Sequence, residues 1–196
     1  MNKVILTGVL KDIAYSHTIQ GVEYEKAALI VKRPSGKEDL INIKYKKFSN
    51  TYNENDIVSL VGNVRTYTQH IDGKNKVEVY VFSYFDRPED ETILNSVELS
   101  GRICKKNELR KTQLGKDVLD FIIANNLVTE NQTLNCYIPC VAWGKLAKEI
   151  SKLDVGTTIN VTGQLQSREY RKKLDGDNFE IRIAHELNLS DYNIEE

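Results

Sequence analysis

Leu134-Asn135-Cys136-Tyr137-Ile138-Pro139-Cys140-Val141-Ala142-Trp143-Gly144-Lys145-Leu146-Ala147, followed by Gly163-Gln164-Leu165-Gln166-Ser167-Arg168-Glu169-Tyr170, carries the strongest structural pattern in this 196-residue chain. Residues two apart on a strand share a face. Tyr137, Pro139, Val141 and Trp143 therefore line one side, and Cys136, Ile138, Cys140 and Ala142 the other. The small apolar set suits a core, which leaves the aromatic set facing outward. The same parity groups Gln166, Arg168 and Tyr170 on the later strand. Between the two, Leu146, Ile150 and Leu153 recur at helical spacing, so residues 144–153 read as a short helix.

Working outward, alternating apolar residues between turn signals predict strands near 95–105, 117–126, 133–142, 157–170 and 178–189, with Asp175-Gly176 turning into the last. The first half reads the same way, with strands near 2–11, 25–33, 39–47, 57–68 and 76–86. Its turns fall at Gln20-Gly21, Pro34-Ser35-Gly36 and Asp72-Gly73. Four ordered echoes mark a duplication. Asn2 to Gly8 matches Asn95 to Gly101, Gln20-Gly21 matches Leu114-Gly115, Val61-Gly62 matches Val161-Thr162-Gly163, and Asp72-Gly73 matches Asp175-Gly176.

Three strands, a connection and two strands is the order of an OB-fold, a five-stranded Greek-key barrel. The predicted fold class is all-β: two tandem OB-folds, with a short helix between strands three and four of the second only. In the first half, residues 49–55 are poor helix formers and read as a loop or single turn. The expected domains are residues 1–86, a short linker at 87–94 that combines Pro with a run of acids, residues 95–190, and a short acidic tail at 191–196.

The Tyr137–Ala147 segment and the Gly163–Tyr170 segment together resemble the bacterial single-stranded DNA-binding protein family. In that family an aromatic strand runs into a Gly-Lys-Leu-Ala helix, and a later Gly-x-Leu-x-x-Arg strand ends on another aromatic. The resemblance implies that Tyr137, Trp143 and Tyr170 stack bases, and that two copies of a two-barrel chain assemble into a homodimer with four OB-folds. It also implies work in DNA replication, recombination or repair. The tail with a cluster of Asp and a terminal Pro-Phe, which many members use to recruit other enzymes, has no match in Leu189 to Glu196.

The physical case stands beside the resemblance. Every base has a π-face, so aromatic side chains hold single strands of any sequence while Lys and Arg follow the phosphates. Arg168 shares the aromatic face. Arg110 and Lys111 fall between strands one and two, and Arg171, Lys172 and Lys173 between strands four and five. These are the loops with which OB-folds close on a ligand. In the first half, aligning Phe48 with Trp143 puts Asn42, Lys44, Lys46 and Phe48 on the binding face and Ile41, Ile43 and Tyr45 in the core. Arg65 and Tyr67 follow on strand four. That surface is more basic and less aromatic, and reads as the weaker partner. Tyr80, Phe82 and Tyr84 alternate with core residues and are expected to pack against the other domain or a second subunit.

Composition sets the remaining bounds. A formal net charge of -1 argues against a uniformly basic nucleic-acid binder, although local basic loops are compatible with it. It keeps a competing reading open: a duplicated OB module whose aromatic faces bind protein, acting as a replication or recombination accessory. Cys104, Cys136 and Cys140 suit reduced, buried thiols rather than a disulfide framework. No apolar run predicts a signal peptide or membrane span, which points to a cytoplasmic, nucleoid-associated protein. No phosphate-binding loop, nucleophile–base pair or metal-ligand cluster points to an enzyme, and no cofactor is implied.

Overall fold

The computed structural model describes residues 1–47, 52–71, 74–85, 94–129, 132–173 and 178–195. In chain order the elements are β1 (Asn2–Ile19), β2 (Val22–Lys32), β3 (Glu38–Lys46), β4 (Ile57–Ile71) and β5 (Lys74–Phe85). The second half follows with β6 (Asn95–Lys106), β7 (Arg110–Lys111), β8 (Asp117–Val128), β9 (Thr133–Trp143), α1 (Gly144–Ser151), β10 (Thr158–Lys173) and β11 (Phe179–Ile194). They form one hydrogen-bonded sheet in the order β2-β3-β5-β4-β1-β6-β10-β11-β9-β8-β7. Pairing of β1 with β2 and of β6 with β8 closes each half into a barrel. Both are OB-folds, because each runs 1-2-3-5-4-1 and joins its third and fifth strands in parallel.

The apolar parity of the sequence builds the core. Cys136, Ile138, Cys140 and Ala142 are at most 3% exposed, and Ile41, Ile43 and Tyr45 at most 1%. Trp143 ends β9 in extended backbone, and Gly144 with φ +58° turns the chain into α1. Only glycine holds that conformation without strain. Ala147 and Ile150 then seal the barrel end, with Leu146 and Leu153 packed against the core. In the first half, Asn53 to Asp56 make a hydrogen-bonded turn where the second half has its helix. Among the described residues no helix is long and apolar enough to cross a membrane.

The two halves meet through their first strands. β1 pairs antiparallel with β6: Asn2 lies opposite Leu99, Val4 opposite Val97 and Leu6 opposite Asn95. Because Asn2 corresponds to Asn95 and Leu6 to Leu99, this ladder is symmetric about the Val4–Val97 pair. The halves thus join as two identical subunits would across a two-fold axis. The side chains repeat the symmetry. The Asn2 amide donates to the Val64 carbonyl and accepts from its N–H, and Asn95 does the same to Leu165.

Two further clasps tie strand three of each barrel to strand four of the other. Thr66 Oγ1 accepts the Tyr137 N–H at 2.9 Å, and Ser167 Oγ accepts the Leu40 N–H at 2.9 Å. The second clasp also holds the fully buried Asp39. Arg33 grips it with two nitrogens at 2.7 and 2.5 Å, and the Ser167 N–H donates to it at 2.7 Å. Beside them, His185 Nε2 donates to the Leu40 carbonyl at 2.7 Å.

Several expectations need correction. β1 and β2 extend as a hairpin arm to the Gln20-Gly21 turn, well past residue 11, because Ala14 to Ile19 pair with Val22 to Lys26. Residues 191–194 are not a tail: Asp191, Tyr192, Asn193 and Ile194 pair with Thr162, Val161, Asn160 and Ile159, which gives their backbone groups partners in the sheet. Cys104 is exposed, while Cys136 and Cys140 are buried. Phe48, residues 87–93 and the turns at 72–73 and 175–176 lie outside the described residues.

Candidate nucleic-acid interface

The aromatic face of the second barrel is spread along one strand. Tyr137, 50% exposed, lies at the clasp with Thr66, and Trp143, 41% exposed, lies where β9 enters α1. Six residues of strand separate them by about 20 Å. Pro139 is half-buried between them. Val141 has the outward parity yet is only 3% exposed, since it sits in mid-sheet, flanked in register by Asp120 and Asn188. Tyr170, 37% exposed, stands opposite Arg182 on the β10–β11 arm, beyond the barrel proper.

A groove of about 860 Å³ runs between that arm and the seam of the two halves. Arg168, Tyr170 and Lys172 line it from the second half together with Pro139, and Leu40 and Asn42 line it from the first. Tyr137 and Trp143 do not. Arg168 is 3.5 Å from Glu186, which also lines the groove, so its charge is partly balanced in place.

The loop cations differ from one another. Arg110 pairs with Asp120 at 2.6 Å and Lys111 with Asp117 at 2.9 Å, across the short β7–β8 ladder. Lys111 and Lys148 hold the Asp117 carboxyl below the usual carboxylate range. These two cations are therefore engaged rather than free to close on a ligand. Arg171 lies 4.8 Å over the Phe179 ring, and Lys173 is exposed.

The ladders of the first half revise its alignment with the second. Lys44 lies beside Phe82 on β5, and Val141 beside Asn188 on β11. Phe82 and Asn188 hold the same place, because Asn63 pairs with Phe82 and Gln164 with Asn188, each one residue after a glycine, Gly62 or Gly163. A Cβ on either glycine would lie 2.3 Å from that neighbour's carbonyl oxygen, so both are held to glycine by close approach. Val141 thus matches Lys44, and Trp143 matches Lys46 rather than Phe48. The clasps agree, since Leu40 and Tyr137 make the same hydrogen bond. Echoes in sequence could not detect this shift of two residues, which leaves every side chain on its original face.

On that face, Lys46 and Tyr67 are exposed, Lys44 pairs with Glu78 at 3.2 Å, and Arg65 is half-buried. Cations of their own barrel lie over Tyr80 and Phe82. Lys44 Nζ lies 4.1 Å over the Tyr80 ring, and the Arg65 guanidinium 3.9 Å over Phe82. Tyr24 and His17, which the sequence reading left out, stack at 4.8 Å with an angle of 1° between their rings, beside Phe82. Their signal was faint because pairing across the β1–β2 arm, not local pattern, brings them onto the face.

Residues 94–190 match the model of the single-strand binding protein family. Single-stranded DNA-binding protein A of Bacillus subtilis is 36% identical over 85 residues, which are 41% of this chain and 49% of that protein. A single-stranded DNA-binding protein of Staphylococcus epidermidis is 32% identical over 85 residues, 41% of this chain and 64% of that one. The chain spans about half the length of the first of these curated relatives. The crystal structure of the wild-type single-stranded DNA binding protein from Thermus aquaticus matches 100% of this chain and 93% of its own, with a TM-score of 0.75 and 21% identity. The tandem OB architecture is therefore shared over the full length, whereas the family match covers only the second half.

Proposed function

We propose that this protein binds single-stranded DNA without sequence preference, protecting it in replication, recombination or repair in the cytoplasm. Tyr137, Trp143 and Tyr170 supply stacking surfaces, and Arg168, Lys172 and Lys173 contact phosphates. The observation that carries the reading is the exposure of these three aromatics on the outer strands of an OB-fold that matches the family. A chain whose halves already pair like two subunits leaves two copies to make four OB-folds, so a homodimer is part of the proposal.

Titration with oligothymidine tests it. Trp143 is the only tryptophan, and a base stacked on it quenches its fluorescence. Absence of quenching together with absence of binding at low salt rejects the reading in favour of a protein-binding OB module. Sedimentation at twice the chain mass supports the dimer, and sedimentation at the chain mass rejects it.

A further inference from the structure

The β10–β11 arm ends in an open strand edge. Among the described residues, β11 from Phe179 to Glu186 has a ladder partner only in β10, and its parallel join to β9 begins at Leu187. Along the other side of this stretch, the N–H and C=O groups of alternate residues have no strand to pair with, which is how one chain recruits another. At the inner end His185 is held by the Leu40 carbonyl. Toward the tip, Phe179, Ile181 and Ile183 share one face and are all exposed. Glu180 and Arg182 share the other face, 2.7 Å apart.

This edge is its own complement. An antiparallel ladder between two copies, centred on Ile181, sets Glu180 opposite Arg182 of the other copy, Arg182 opposite Glu180, Phe179 opposite Ile183 and Ile181 opposite itself. Opposite charges and aromatic–β-branched pairs directly across a ladder are favourable, and like charges are unfavourable. Centring the ladder on Glu180 or on Arg182 would face like charges, so the sequence selects one register. Proline and bulges blunt many edges. This one has neither, since the β10–β11 ladder runs without a shift from Phe179 to Leu189. The first arm differs in sequence. Counted from the Thr66 and Ser167 clasps, lysine occupies both matching positions, Lys74 and Lys76, and the same self-pairing would set like charge against like.

We propose that the outer edge of β11 joins neighbouring copies of this chain on one DNA strand, through an antiparallel ladder centred on Ile181. Size decides the setting. The five residues from Phe179 to Ile183 fall well short of the roughly 20–30 a side of a stable interface, so the ladder does not hold free copies together. Copies bound next to one another on a strand meet at an effective concentration of about millimolar, where a weak contact closes. The proposal rests on the single-stranded DNA reading above and adds cooperative occupation of long strands.

The test compares a long poly(dT) strand with an oligothymidine of about 16 nucleotides, the least that four barrels occupy at about 4 each. On the long strand the unsubstituted chain is expected to fill sites beside occupied ones about tenfold more readily than isolated ones. This is read as a steep titration and as clustered complexes in electron micrographs. Glu180→Arg leaves only cations in the ladder and Arg182→Glu only acids. Each variant alone is expected to lose the preference while still binding the short oligothymidine. An equimolar mixture of the two is expected to regain it, because each variant complements the other across the ladder but not within its own arm. Scattered complexes of the unsubstituted chain, clustering by either variant alone, or no recovery in the mixture overturns the ladder and leaves the DNA reading intact. An unsubstituted chain that binds neither strand overturns both.

Discussion

The two halves of the molecule share strand order, core and joining ladder, yet equivalent positions carry opposite chemistry. Where the second barrel has Asp120, Val141, Trp143 and Glu186, the first has Lys26, Lys44, Lys46 and Tyr80. Inward parity is kept because both cores must exclude water, whereas outward residues are free to diverge. A duplicated OB-fold can therefore hold one backbone geometry and still present two surfaces, one aromatic and partly acidic, the other basic with its rings beneath the cations. The clasps diverge in the same manner. At one, Thr66 alone meets Tyr137. At the other, Ser167 is joined by a buried aspartate, its arginine and a histidine.

The largest effect expected from breaking this comparison is at the clasps. Asp39→Ala leaves Arg33 facing a buried gap and is expected to cost about 3 kcal/mol of folding stability, whereas Thr66→Val at the equivalent clasp costs about 1 kcal/mol. Urea unfolding of both variants measures this, and equal losses contradict the asymmetry. Next comes binding. Trp143→Ala is expected to weaken oligothymidine affinity by about 1–3 kcal/mol, and Lys46→Ala, at the matching position of the first barrel, by about 1 kcal/mol or less at moderate salt. Filter binding at two salt concentrations separates them, since only the lysine effect shrinks as salt rises.

A smaller effect is expected from pH. Burial holds the His185 pKa below the ordinary value of 6.5, against the pull of the Leu40 carbonyl, Asp39 and Glu78. The unfolded chain therefore binds the proton more readily, and stability present above pH 6.5 declines as pH falls below it. Asp39 acts in the same direction at lower pH. Burial opposes its charge, but Arg33 and Ser167 hold its carboxyl below the usual value, so its contribution is lost only as pH falls through that lowered pKa. The urea midpoint is expected to drop between pH 7.5 and 5.5, and to drop less in His185→Gln. An equal drop assigns the acid sensitivity elsewhere.

Much of the fold was legible in order along the chain. Alternation in Cys136 to Ala142 and in Ile41 to Tyr45 located core faces correctly, because strand parity is a local property. The short helix expected over residues 144–153 was visible from an equally local property, the helical spacing of Leu146, Ile150 and Leu153. Less of the candidate interface could be read. Arg110 and Lys111 looked like free loop cations until pairing brought Asp120 and Asp117 against them. Val141 shared the aromatic parity but is covered by neighbours that only the sheet supplies.

By itself, then, the amino-acid sequence determined two barrels, their inward faces and the second-half aromatics, all of which follow from spacing within single strands. The tertiary structure decided what depends on residues far apart in the chain. It joined β1 to β6, aligned Lys46 with Trp143, seated Lys44 and Arg65 on the aromatics of β5, and buried Asp39 against Ser167. Cross-strand register sets each of these contacts, and register is fixed by the packing of the whole barrel rather than by any one segment.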